Sequence, residues 1–162
     1  MAKKKDEKTN VMRLLDQKKI PYTAHTYPHG EGEAVDGVTV AALLGQDPGR
    51  VFKTLVTKGA SGGYYVFDIP VAETLDLKKA AKAVGEKSIA MLAARDLLPL
   101  TGYVHGGCSP VGMKKLFPTV FHLSCLDYET MMVSAGRIGY QVEAKPEDLM
   151  AVVRAKTADV VV

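Results

Sequence analysis

Cysteine is scarce in this 162-residue chain: only Cys108 and Cys125 occur, 17 positions apart. That spacing fits neither a disulfide framework nor a short metal-binding motif, so both read as free thiols of a reducing compartment. Long hydrophobic runs are lacking too, and none approaches the roughly 18 residues that span a bilayer. The opening Met1-Ala2-Lys3-Lys4-Lys5-Asp6-Glu7-Lys8 is basic but leads into no apolar stretch. A signal peptide is therefore not expected, and the cytoplasm is the expected compartment.

A strong excess of one charge is also missing. The net +3 is unevenly placed: residues 3–8 hold four lysines and two acids, leaving 17 basic and 16 acidic residues elsewhere. Most of the excess thus sits on a stretch read as a disordered tail, residues 1–8, ahead of one domain, residues 9–162. Such a chain is not built to grip nucleic acid through many phosphates, and DNA is not an expected partner. Any RNA contact is local or shared with another protein.

What is present is a globular composition, 47% hydrophobic against 24% charged, with enough length to bury a core without disulfides or metal. Thr9 or Asn10 caps a first helix whose Val11, Leu14 and Leu15 share a face, and Pro21 ends it. Tyr22 to Tyr27 is β-prone, the loop from Pro28 to Gly37 follows, and a helix from Val38 to Leu44 closes at Gly45. Val51 to Lys58 and Tyr64 to Ile69 form a hairpin around Gly59-Ala60-Ser61-Gly62-Gly63. Asp76 caps a helix through Val84, Ser88 to Met91 is a short strand, and Ala93 to Leu98 is a helical turn stopped by Pro99. Three strands are expected at Thr119 to Leu123, Thr130 to Ser134 and Ile138 to Glu143, the last two around a tight Ala135-Gly136-Arg137 turn. Pro146 opens a helix to Lys156, and Val160 to Val162 forms an edge strand. Strands and helices mix without regular βαβ alternation, which predicts a mixed α/β domain.

Lys53 carries the most information about chemistry. Alternation in Val51-Phe52-Lys53-Thr54-Leu55-Val56 puts Val51, Lys53 and Leu55 on one face and Phe52, Thr54 and Val56 on the other. Both faces are largely apolar, so the ammonium either snorkels to an edge or lines a cavity where it meets a phosphate or an ester carbonyl. The pattern leaves the two level. The loop Gly106-Gly107-Cys108-Ser109-Pro110-Val111-Gly112 is a structural turn or a ligand loop whose N–H groups approach an oxyanion. Neither a phosphate-binding P-loop nor a dinucleotide G-x-G-x-x-G occurs, and no nucleophile elbow is read. His25, His29, Glu31 and Glu33 match no established metal spacing, His105 and His122 read as ordinary histidines, and Cys108 has no partnered base in sequence. No cofactor is expected.

Five segments taken together resemble the YbaK family of aminoacyl-tRNA deacylases, related to the editing domain of prolyl-tRNA synthetases. They are His25-Thr26-Tyr27, Val51 to Val56, Leu75 to Lys82, Thr101 to Gly112, and Val133-Ser134-Ala135-Gly136, and they follow the family's order across roughly residues 9 to 158. The resemblance implies a single mixed α/β domain with a bent, partly barrel-like sheet and flanking helices. It implies that Lys53 and Gly106 are catalytic, and that Tyr27, Thr54, Gly107, Cys108, Ser109, Pro110 and Ser134 bind substrate. The implied activity is removal of cysteine from Cys-tRNA(Pro), and also Cys-tRNA(Cys), by the substrate's own thiol. The partners are then aminoacyl-tRNA, tRNA(Pro) above all, and prolyl-tRNA synthetase in a transient complex, with no membrane. Asp36 and Gln141 depart from the compared pattern, which has an aromatic residue and an aspartate there. A deacylase of Ala- or another aminoacyl-tRNA working by activated water, and a non-catalytic module that docks on tRNA or a synthetase, remain the alternatives.

Overall fold

The computed structural model describes residues 8–30 and 32–162. The expected tail lies outside them except for Lys8, whose ammonium is 2.5 Å from the Asp16 carboxylate. The first helix, α1, spans Asn10–Gln17. The Thr9 hydroxyl accepts from the Met12 N–H, and Val11, Met12 and Leu15 are buried. Its apolar stripe docks on the core while the capping threonine satisfies one of the four free N–H groups of the first turn.

The hairpin forms as expected: β2, Phe52–Gly59, pairs antiparallel with β3, Tyr64–Pro70. In this register Lys53 faces Ile69 and Thr54 faces Asp68. The strand β4, Ile89–Met91, adds antiparallel to β2, whereas β5, Thr119–His122, adds parallel to β3. β8, Lys156–Ala158, adds parallel to β5, giving a five-stranded mixed sheet in the order β4-β2-β3-β5-β8. A second, antiparallel sheet has the order β1-β7-β6, from Thr23–Thr26, Tyr140–Ala144 and Met131–Ser134.

The two sheets are joined where Val51 makes a parallel bridge to Met132. They do not close into a barrel, so the expected barrel-like character is loose. Phe52, Val56, Val66, Phe121, Met131, Val133 and Val142, from both sheets, form one core with Val11 and Leu15 of α1 and with α5, Pro146–Val153. The opposite face of the larger sheet buries Phe67, Ile69 and Val120 against Ala80 and Ala81 of α3, Leu77–Val84. Each fully buried Phe of this set contributes roughly 1.5–3 kcal/mol of transfer free energy. A third cluster, Ala41, Val51, Val71 and Met132, seats α2, Gly37–Leu43, on the junction of the sheets.

Four local expectations change. The helix α4 runs Ala94–Thr101 and contains Pro99 instead of stopping before it. Arg95, whose carbonyl loses its donor to the proline ring, is an exposed residue. Residues 135–139, not three residues, connect β6 to β7, with Gly136 and Gly139 both at positive φ. Finally, α5 ends at Val153, because Arg154 turns left-handed and lets Lys156–Ala158 run as β8. The edge strand expected at Val160–Val162 reduces to a single bridge between Leu75 and Val161.

Candidate active site

A cavity of about 360 Å³ opens at the junction of the sheets. β2 supplies Phe52 to Leu55, α2 and its preceding loop supply Val35 to Val38, and His105, Gly106 and Cys108 form another wall. Tyr27, Ser134 and Gln141 close it from the smaller sheet. The structure thus brings together six of the nine site residues expected from sequence: Lys53, Gly106, Tyr27, Thr54, Cys108 and Ser134. Gly107, Ser109 and Pro110 are buried behind the wall.

Lys53 is half-buried on this cavity, and its ammonium makes no hydrogen bond or ion pair to another described residue. A cation held in an apolar frame without a counter-charge is available to an anionic or strongly polar ligand. The one carboxylate on the cavity wall among the described residues is already engaged. Asp36 caps α2, accepting from the Thr39 N–H at 3.3 Å and the Thr39 hydroxyl at 2.6 Å. Those bonds hold its carboxyl below the usual range, the hydroxyl contributing most.

The remaining wall is set by close backbone packing. Gly106 has φ +88°, and a Cβ there would lie 2.6 Å from Cβ of Ala34. A Cβ on Gly107 would lie 3.1 Å from the Ile138 nitrogen, so the loop stacks between residue 34 and the β6–β7 connection. The Gly107 N–H donates to the Val104 carbonyl at 2.9 Å, which removes it as an oxyanion donor. The Gly106 and Cys108 N–H groups have no acceptor among the described residues. The Ser109 hydroxyl accepts from the Val111 N–H, and the Ser134 hydroxyl from the Gly136 N–H, each fixing its own turn.

Among the described residues no activated nucleophile stands in the cavity. Burial, with the Asp68 carboxyl adding to it, pushes the Cys108 thiol up to about 12. A neutral, desolvated thiol is inert. Ser61 has the G-x-S-x-G spacing within Gly59–Gly63, but the segment is the β2–β3 hairpin turn, not a strand-to-helix elbow. Its exposed hydroxyl lies against Glu86 rather than a histidine. His25 is spoken for by Glu143 at 2.8 Å, which also takes Arg50 at 2.6 Å and the Thr130 hydroxyl. This cluster pins β1 and β7 to the 3-10 turn at Pro48–Arg50. Among the described residues no group of His, Cys, Asp and Glu has metal-ligand geometry.

One polar group went unmarked in the sequence reading. Asp68 is fully buried on β3, with Oδ1 2.6 Å from the Thr54 hydroxyl and Oδ2 without a partner. Its signal was an acid in the otherwise apolar Tyr64 to Pro70 strand, facing Thr54 in the hairpin register. The Gln141 side-chain oxygen is likewise buried and unpartnered on the cavity wall.

Known proteins resemble this chain in sequence and in fold over nearly its whole length. An Enterococcus faecalis protein named "Putative Cys-tRNA(Pro)/Cys-tRNA(Cys) deacylase EbsC" is 45% identical over 161 residues, 99% of this chain and 98% of that one. A solved structure described as "a putative trans-editing enzyme for prolyl tRNA synthetase" superposes with a TM-score of 0.79 at 25% identity. It covers 94% of this chain and 96% of that one. The structure of a protein described as hypothetical reaches 0.83 at 24% identity, covering 94% and 99%, and speaks to the fold alone. The aminoacyl-tRNA editing domain family matches residues 32–152, which include every cavity residue but Tyr27, and the chain belongs to that family.

Proposed function

We propose that the cavity receives the 3′-aminoacyl end of a mischarged tRNA, and that the chain deacylates Cys-tRNA(Pro), and also Cys-tRNA(Cys), in trans. The observation that carries this reading is Lys53, a half-buried ammonium without a protein counter-ion on a cavity of amino-acid-plus-ribose scale. Lys53 engages the polar 3′-terminal nucleotide. The free N–H groups of Gly106 and Cys108 face the ester carbonyl, and Tyr27, Thr54 and Ser134 shape the space for the side chain. Gly107, Ser109 and Pro110 hold the loop in shape from behind.

The substrate supplies the nucleophile. Its cysteine sulfur attacks its own ester carbonyl, forming a carbon–sulfur bond as the bond to the ribose oxygen breaks. The thiol proton passes to that ribose hydroxyl as tRNA leaves, and water then opens the released thiolactone to cysteine. An intramolecular thiolate gains large effective molarity over bulk water, so the protein need only orient and stabilise charge. The need for such a step is physical, because a prolyl pocket discriminates by small apolar size differences only roughly 10–200-fold.

The same reading places the protein in the cytoplasm, in transient complex with prolyl-tRNA synthetase. No helix of the described residues is long and apolar enough to cross a membrane, and the low net charge outside residues 3–8 favours shared over solitary tRNA binding. The test is a comparison of Cys-, Ser- and Ala-tRNA(Pro) as substrates of the purified protein. Cysteine release should be fastest by a wide margin, serine slower and alanine slowest. Comparable rates for Cys and Ala would replace the thiol route with activated water, and background rates for all three would leave a binding module.

A further inference from the structure

Asp68 is buried without an ion pair, touches a cavity residue, and is left unused by the chemistry above. Its Oδ1 is 2.6 Å from the Thr54 hydroxyl, and Thr54 lines the cavity. Its Oδ2 is buried with no partner. We propose that Asp68 is a positioning residue: in its neutral form it donates a proton to the Thr54 oxygen, turning the Thr54 hydroxyl hydrogen into the cavity as a donor to the bound aminoacyl ester. Ionised, it would accept from Thr54 instead, and the cavity would meet only a threonine lone pair. The inference rests on the reading of the cavity as an aminoacyl-ester site.

The geometry selects this proton arrangement. A neutral carboxyl carries one O–H, and Oδ1 is the oxygen with an acceptor in reach. Placing the proton on Oδ2 would leave a buried donor unsatisfied, which costs more than a bare carbonyl lone pair. The groups facing the carboxyl offer no positive charge. Thr54 comes from β2 and Phe121 is its parallel neighbour on β5. The thiols of Cys108, from the loop after α4, and Cys125, from the 3-10 turn Leu123–Asp127, are the titratable groups that feel it. Lys53, next to Thr54 in sequence, belongs to the other face of β2 by strand alternation. Burial accordingly pushes the Asp68 carboxyl up to about 8, against the smaller lowering that Thr54 exerts by donating to the ionised form.

The test measures kcat/KM for Cys-tRNA(Pro) from pH 6 to 9 for the full chain and its Asp68→Asn variant, with spontaneous ester hydrolysis subtracted. Asparagine keeps an N–H donor toward Thr54 and cannot ionise. Taking the ratio of variant to wild type cancels the ionisation of the substrate thiol. The ratio should be flat below about pH 7 and rise about three- to tenfold above pH 8, the scale of one hydrogen bond. Thr54→Val should flatten it, since no hydroxyl remains to be turned. The 13C resonance of the wild-type Asp68 carboxyl should titrate far above the ordinary carboxylate range, a readout that needs no variant to fold. A ratio independent of pH, or a rise that persists in the Thr54→Val background, overturns the inference. A protein that releases no amino acid at any pH overturns the reading of the cavity and this inference with it.

Discussion

Thr54 and Asp68 face each other across the β2–β3 hairpin, with 2.6 Å between the threonine hydroxyl and one carboxylate oxygen. That single bond is all the polar compensation a fully buried carboxyl receives, and it fixes the sign of a stability effect. The folded carboxyl is pushed up to about 8 by burial, whereas unfolding returns it to the ordinary carboxylate range. Between those values the folded state holds a proton that the unfolded chain has lost. The stability of the fold therefore falls as pH rises from about 4 through about 8, by at most about 1.4 kcal/mol per pH unit. Asp68→Asn should remove that slope. Urea midpoints at pH 5, 7 and 9 should show a variant increasingly more stable than wild type as pH rises, the gap levelling above pH 8.

How much of this was legible in the sequence differs by position. Elements marked by local chemistry were found where expected: Thr9 and Asp76 cap their helices, Gly85 ends α3 at φ +77°, and a glycine-rich turn closes the hairpin. The misplaced boundaries lacked such marks. Arg154 ends α5 in a left-handed conformation that glycine would have announced, and Pro99 is tolerated in α4 because that helix lies on the surface. Lys53 was legible as a cation out of place in an apolar strand. Asp68 is its counterpart one strand away, yet its meaning depends on the register that sets it against Thr54, which single-strand alternation does not contain.

Lys53→Ala should leave the fold intact and remove most of the activity. No described residue bonds the ammonium, so unfolding free energy should change by no more than roughly 0.5 kcal/mol. The loss of a charge-assisted contact to substrate corresponds to roughly 10- to 150-fold in kcat/KM. Denaturation and deacylation assays on one preparation decide it. Wild-type rates would make Lys53 a bystander at the rim.

Gly106→Ala should cost stability as well as rate. Alanine at φ +88° is strained by about 1–3 kcal/mol, and its Cβ would press on Cβ of Ala34 at 2.6 Å. Adding Ala34→Gly removes that methyl and should restore part of the melting temperature, though not the part due to φ. If Gly106→Ala instead lowers only the rate, the contact with Ala34 relaxes freely and the glycine serves substrate approach alone.

Cys108 stands on the cavity wall, and its thiol is the obvious suspect for a protein nucleophile. The physics points the other way. Burial and the nearby Asp68 carboxyl push it up to about 12, so at neutral pH essentially none is thiolate, and the thiolate is the reactive form. The residue is also buried, with little surface for a reagent to reach. N-ethylmaleimide at neutral pH should therefore modify Cys108 slowly in the native protein and rapidly once it is unfolded, which mass spectrometry of the modified peptide reads directly. Cys108→Ala should keep deacylation of Cys-tRNA(Pro) within a few-fold of wild type, the change reflecting a slightly larger cavity. Loss of activity together with trapping of a cysteinyl-enzyme thioester would make Cys108 the nucleophile, and the sulfur that attacks the ester would then belong to the protein instead of the substrate.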